Sequence, residues 1–130
     1  MELLWTATAP GVLGVERRTS KESYVRVLME LMDEGEGYTE AHFADADYPT
    51  LTMGFRGGHA VVHQFADEGT VLLLHAENRS YDAVLVSMPS IEEDVDFESG
   101  FVFPLDEAWN IFKRFLDYGS AKELGAWILL

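Results

Sequence analysis

The sequence predicts an α+β fold in which two main helices pack on a mostly antiparallel sheet, a meander of about five to seven strands. Residues 50–76 contain three apolar strand segments separated by turn clusters at Arg56-Gly57-Gly58 and Asp67-Glu68-Gly69. Parallel neighbours would need a crossover of a dozen or more residues, so these turns predict antiparallel pairing. Two further segments, following Thr19 and Pro104, carry apolar residues at helical spacing.

Composition limits the class of protein. The 130 residues fit a single domain over residues 1–130, and 48% of them are hydrophobic, which favours a folded core over disorder. No apolar run reaches the ~20 residues of a membrane span, and the first five residues lack the basic start of a signal peptide. The chain contains no cysteine and therefore no disulfide, which fits a cytosolic protein, and we expect a cytoplasmic location.

Net charge is the strongest compositional signal. Nine Lys and Arg stand against 23 Asp and Glu, which gives a formal net charge of −14. Such a charge opposes direct binding to nucleic acid or to an anionic membrane, because both rely on basic side chains. It favours and steers a basic partner instead. The alternative is that the acidity only keeps the protein in solution.

The first third of the chain predicts a strand, a helix and a second strand. Residues 2–9 alternate and precede Pro10-Gly11, and residues 12–18 are expected to be a connector. Thr19-Ser20-Lys21-Glu22 matches a capping box, with Thr19 as the cap and Glu22 as its reciprocal partner. Gly35 is a plausible end of the helix, residues 38–44 a strand and residues 45–49 an acidic turn. The predicted apolar face of the helix comprises Tyr24, Val27, Leu28, Leu31 and Met32.

The later part of the chain predicts strands at residues 81–87 and 100–103, whereas residues 88–98 could be a loop or a strand. Pro104 opens the second helix, and Gly119 has the residue type that commonly ends one. Residues 126–130 are predicted to form a terminal strand buried inside the sheet. The apolar face of the second helix comprises Leu105, Ala108, Ile111, Phe112, Phe115 and Leu116.

Motifs for catalysis are weak. The Gly57-Gly58 turn leads into a strand and lacks the Lys-Ser/Thr pair of a phosphate-binding loop, and the sequence has no Gly-x-Ser-x-Gly elbow. We therefore predict no catalytic residues, no metal site and no cofactor. The alternative is a small metal-binding or enzymatic α+β domain that uses the strand histidines His59, His63 and His75.

Two acidic segments are the candidate binding surface. The first belongs to a stretch between Arg26 and Arg56 that has no Lys or Arg, and the second interleaves acids with Ile91, Val95 and Phe97. In such a surface the charges would steer the partner and the apolar or aromatic residues would anchor it. The alternative is two solvated loops. The predicted partner-binding residues are Asp45, Asp47, Tyr48, Glu92, Glu93, Asp94, Asp96 and Glu98.

Three features together resemble the Imm1 family of bacterial immunity proteins. A meander strand from Gly57 to Phe65 reads Gly-x-x-Ala-Val-Val-His-Gln-Phe, a proline-led helix spans residues 104–120, and the closing strand contains Trp127. The resemblance covers residues 38–130. It implies a non-enzymatic cytoplasmic protein that binds and neutralises a toxin domain.

Toxins paired with such proteins include nucleases and nucleic-acid deaminases, whose clefts are basic, so the resemblance agrees with the charge. It implies that the acidic surface occludes the active site, and binding at an exosite is equally compatible. A third hypothesis is an acidic, nucleic-acid-mimicking inhibitor of a host enzyme, which differs only in its partner.

Overall fold

A computed structural model describes residues 2–9, 14–75, 84–88, 93–97, 101–121 and 123–129. It confirms the α+β class: a large antiparallel sheet, a separate two-stranded hairpin and two helices. The elements in chain order are β1 (Glu2–Thr8), β2 (Arg17–Ser20), α1 (Lys21–Asp33), β3 (Glu36–Phe43), β4 (Thr50–Arg56), β5 (His59–Asp67), β6 (Thr70–His75), β7 (Val84–Met88), β8 (Glu93–Phe97), β9 (Phe103–Pro104), α2 (Leu105–Tyr118) and β10 (Ala126–Leu129).

The sheet has eight strands, in the order β10-β6-β5-β4-β3-β1-β2, with β9 pairing to β5. Every pairing is antiparallel, and β3 to β6 form the predicted meander. In its centre, Met53 lies opposite both Thr39 and Val62. The sheet exceeds the predicted five to seven strands because two short segments, β2 and β9, also join it.

One face of the sheet, here called the helix face, is packed by α1 and α2. Because side chains alternate along a strand, this face collects Trp5, Met53, Phe55 and Val62 from the three strands β1, β4 and β5. α1 lies against β1 and β3, and α2 lies against β4 and β5. The rings of Trp5 and Tyr24 stack at 4.8 Å.

The cap of α1 differs from the prediction. Ser20 is the N-cap residue, and its hydroxyl accepts a hydrogen bond from the Ser23 backbone N–H at 3.3 Å. Thr19 lies at the end of β2, where its hydroxyl accepts from the Trp5 indole Nε1 at 2.8 Å. The capping-box prediction was therefore wrong by one residue, because a tertiary partner occupies the Thr19 hydroxyl. The expected connector over residues 12–18 is also shorter, since β2 begins at Arg17.

α2 begins and ends as predicted. Pro104 is its N-cap residue, Asp106 and Glu107 lie in the first turn, and Gly119 ends it with a φ of +72°. That positive φ favours glycine, and the Gly119 N–H donates to the Phe115 carbonyl at 2.8 Å. The buried residues of α2 are Ala108, Phe112, Phe115 and Leu116, all from its predicted apolar face.

The opposite face, here called the hairpin face, faces the pair of strands β7 and β8. β3 and β5 pair with the two edges of β4, so β7, which contacts β4, must lie over one face of the sheet. The two helices cover the helix face, so β7 lies over the opposite face. This face contains buried polar side chains, among them Tyr38, Thr52 and His63. β8 resolves the open prediction for residues 88–98, because residues 93–97 form a strand.

The terminal strand β10 is not buried inside the sheet. Among the described strands it forms one edge and pairs with β6 alone, and the Leu129 side chain is 67% exposed. Trp127 alone turns toward the core, where its indole Nε1 donates to the Ala121 carbonyl at 2.9 Å. The prediction of a buried strand was wrong because apolar composition alone does not separate an edge strand from a central one.

Candidate functional site

The predicted residues Asp45, Asp47 and Tyr48 lie in the 44–49 loop, which joins β3 to β4. The loop is held at both ends: the Ala44 N–H donates to the Glu2 carbonyl at 3.0 Å, and the Thr50 hydroxyl donates to the Asp47 carbonyl at 2.7 Å. These bonds fix the loop backbone, so its exposed side chains have a defined direction.

The loop forms one wall of a groove of about 550 Å³, here called the loop groove. The other walls come from the beginning of α1, with Lys21 and Glu22, and from the end of α2, with Leu116 and Tyr118. The Lys21–Asp117 ion pair joins these two helix ends, although they lie far apart in the sequence. The ring of Phe43 lies below the loop and contacts Phe115 edge to face at 5.6 Å.

The loop groove is acidic. Glu22, Asp45 and Asp117 line it with a single lysine among the described residues, Lys21. The Lys21 ammonium donates to Asp117 Oδ1 at 2.8 Å, and this bond raises the pKa of Lys21. Because that lysine is already paired with Asp117, the other two carboxylates carry the charge that a partner would meet.

Two tyrosines stand at the rim of the loop groove. Tyr48 is 41% exposed and Tyr118 is 77% exposed. An exposed tyrosine offers apolar area and a polar tip, which is why this residue is enriched in protein interfaces. An acidic groove with two exposed phenol rings suits a partner that carries basic and apolar groups together.

The second predicted cluster lies on a different element. Glu93, Asp94 and Asp96 belong to β8, where they are register partners of Met88, Ser87 and Leu85 on β7. Glu92 and Glu98 lie outside the described residues. The structure thus brings Asp45 and Tyr48 together in one groove and leaves Asp47 in the same loop, beyond the lining residues.

Sequence reasoning missed the contributions of both helices. Asp117 and Tyr118 close the loop groove from α2, and Lys21 and Glu22 do so from α1. One signal was available, because Tyr118 falls outside the apolar face of α2 and a helix exposes such an aromatic residue. No local pattern could show that this helix end meets the 44–49 loop.

A second groove, of about 410 Å³, runs between the helices and meets the loop groove at Lys21 and Asp117. Its apolar lining includes Val25, Leu116 and Met29, whose side chain is 52% exposed. It extends the concave surface along α1 and α2.

Among the described residues, the histidines of the alternative hypothesis do not form a metal-binding group. His63 is 8% exposed, and burial lowers its pKa to about 4. The His59 ring contacts the Gly57 carbonyl at 3.1 Å, and the His75 ring lies against Phe101. Across the described ranges, no group of three or more His, Cys, Asp or Glu residues could hold a metal ion.

Neither described helix is long and apolar enough to cross a membrane. Comparison of the chain with protein-family models, curated proteins and solved structures finds no match. The resemblance to immunity proteins therefore remains a prediction.

Proposed function

We propose that this protein is a non-enzymatic binding module that forms a stoichiometric complex with a basic protein through the loop groove. The observation that carries the proposal is the arrangement of exposed Tyr48 and Tyr118 around a groove whose free charges are carboxylates. The net charge of −14 would attract a basic partner over a longer range than any single contact.

The resemblance to immunity proteins supplies the class of partner. We propose that it is a bacterial toxin domain, a nuclease or a nucleic-acid deaminase, which this protein neutralises in the cytoplasm. The acidic surface would take the place of nucleic-acid phosphates in the basic cleft and keep substrate out. The same contacts at an exosite would also inhibit, by blocking the substrate sterically.

Charge reversal in the 44–49 loop tests the binding surface. Asp45→Lys with Asp47→Lys changes two exposed acids whose carboxylates make no ion pair among the described residues. Asp33→Lys with Glu34→Lys is the matched control, since it makes the same change in net charge at the far end of α1. A 13-residue helix places that control roughly 18 Å from the groove.

The partner is first obtained by co-purification from the source organism and then reconstituted with the pure protein. At low salt we expect the association rate constant of the loop variant to fall by about tenfold or more. The association rate constant of the control variant should fall much less. An equal fall in the association rate constant of both variants would mean that only total charge matters. That result would contradict the loop groove as the binding surface.

The identity of the recovered partner tests the immunity role. A basic nuclease or deaminase domain, bound one to one and inhibited on binding, is the expected result. A host enzyme recovered instead would favour the hypothesis of a nucleic-acid mimic, and a complex that leaves the toxin active would contradict neutralisation.

A further inference from the structure

A separate pocket of about 210 Å³ lies on the hairpin face, on the other side of the 44–49 loop from the loop groove. Its floor is formed by β1 and β3, where Leu4 lies opposite His42 and Thr6 lies opposite Glu40. Glu16, from the segment before β2, closes one side. The pocket contains two carboxylates and an imidazole, and no Lys or Arg is among its lining residues.

The orientation of the His42 ring is fixed by the backbone. Its Nδ1 lies 2.9 Å from the Phe43 carbonyl oxygen and 3.0 Å from the Ala46 carbonyl oxygen. Carbonyl oxygens only accept hydrogen bonds, so Nδ1 carries a proton and, in the neutral ring, Nε2 is an acceptor. That Nε2 lies 3.5 Å from Glu16 Oε1. In the neutral ring, two acceptors therefore face each other with no hydrogen between them.

Two donors around the pocket are already in use. The Trp5 indole N–H donates to Thr19, and the Thr50 hydroxyl donates to the Asp47 carbonyl. Glu40 is half-buried at the pocket, and burial raises the pKa of its carboxyl group although the Tyr38 hydroxyl donates a hydrogen bond to it. The Glu40 carboxylate has lone pairs beyond its bond from Tyr38, and with the neutral His42 ring the Glu16–Nε2 pair has no donor, so N–H donors that carry positive charge would satisfy both.

We infer that this pocket binds a guanidinium group, held by Glu16, Glu40 and His42 Nε2. A guanidinium carries five N–H donors in one plane, so it can satisfy carboxylate and imidazole acceptors at the same time. Its source, on the proposed function, is an arginine side chain of the basic partner. The 44–49 loop then lies between two contact areas, with the loop groove on one side and the arginine pocket on the other.

The pocket can be tested without the partner. The probe is Nα-acetyl-L-arginine amide, and the isosteric control is Nα-acetyl-L-citrulline amide, which is neutral. Binding is followed at pH 7 through the backbone amide NMR shifts of residues 4–6 and 40–42. We expect saturable shifts with the arginine probe, with a dissociation constant on the order of 1 mM, and none with citrulline. Equal responses to both probes, or no saturation far above that concentration, would overturn the inference.

Variants locate the site. Glu40→Gln keeps the shape of the side chain and should weaken binding of the arginine probe about tenfold, because one charge-assisted contact is lost. Glu36→Gln is the control on the same strand, since Glu36 faces Arg56 at the far end of β3. Urea unfolding of both variants verifies that they are folded. An unchanged affinity in folded Glu40→Gln would overturn the site.

The partner complex distinguishes the source of the guanidinium. If Glu40→Gln lowers the affinity for the partner as it lowers the affinity for the arginine probe, a partner arginine occupies the pocket. If only the probe is affected, the pocket binds a free guanidinium compound and the assignment to the partner is wrong. If charge reversal in the 44–49 loop does not slow association more than the control does, the loop groove is not the binding surface. Binding of the arginine probe would be unaffected by that result, so the two proposals can fail independently.

Discussion

The two faces of the central sheet differ in what they bury. The helix face buries aromatic and aliphatic side chains under two helices, with ring contacts such as Tyr24 against Phe112 at 6.3 Å. The hairpin face buries or half-buries Tyr38, Glu40 and His63. Apolar burial stabilises the fold at every pH, whereas buried titratable groups make stability depend on protonation. The helix face therefore supplies most of the stabilising apolar burial, and the hairpin face makes the stability of the fold pH-dependent.

The largest expected effect is on the helix face. Phe112 is fully buried between the rings of Tyr24 and Phe115. Phe112→Ala should lower the free energy of unfolding by about 3–5 kcal/mol, through lost burial and the cavity left behind. Urea unfolding measures this, with the exposed Asn110→Ala on the same helix as the control, expected within about 0.5 kcal/mol of wild type. A loss near 1 kcal/mol for Phe112→Ala would mean that the helix face does not dominate.

A pH-dependent effect is expected on the hairpin face. Burial lowers the pKa of His63 to about 4, below the ~6.5 of an unfolded histidine. Between these values the unfolded state binds more protons, so stability falls as the pH drops through that range, by up to about 3 kcal/mol. Urea unfolding from pH 7 to pH 4 measures the slope, and His63→Gln should remove this part of it. Equal slopes in both proteins would contradict the assignment to His63.

The smallest expected effect concerns Glu40. Burial raises the pKa of this carboxyl group, so the folded state holds its proton more readily than the unfolded state does. The ionised group therefore costs stability at neutral pH, and its contribution improves as the pH falls through its titration, opposite in sign to His63. Glu40→Gln should raise the free energy of unfolding at pH 7 by about 0.5 kcal/mol or less, because solvent screens a half-buried charge. A clearly lower free energy of unfolding for Glu40→Gln at pH 7 would show instead that the Glu40 carboxylate is favourably paired.

The helices and strands that depend on short-range sequence signals were predicted from the sequence. The strands of residues 50–75 and the helix ending at Gly119 follow from alternation, helical spacing and glycine turns, and the structure confirms them. β2 was missed because Arg17–Ser20 has no apolar pattern and becomes a strand only by pairing with β1. The Thr19 cap was wrong for the same reason, since its partner Trp5 is 14 residues away.

The candidate site was predicted only in part. Asp45 and Tyr48 belong to one acidic turn, which sequence can identify, and the structure places both in the loop groove. Asp117 and Tyr118 join them only after α2 has packed on the sheet. The pocket around Glu40 depends on the pairing of β1 with β3, which no short-range pattern encodes.

The 44–49 loop lines the loop groove and is hydrogen-bonded to His42, which lines the pocket. His42 holds the Ala46 carbonyl from the pocket side, while Ala46 and Asp45 line the loop groove on the other. A ligand in the pocket and a partner in the groove would therefore act on the same few peptide units. If either one shifts the loop, the two binding events are thermodynamically coupled, and each must change the affinity of the other by the same factor. Specificity for a partner could then exceed the sum of its contacts, because only a protein that fills both sites would gain that coupling.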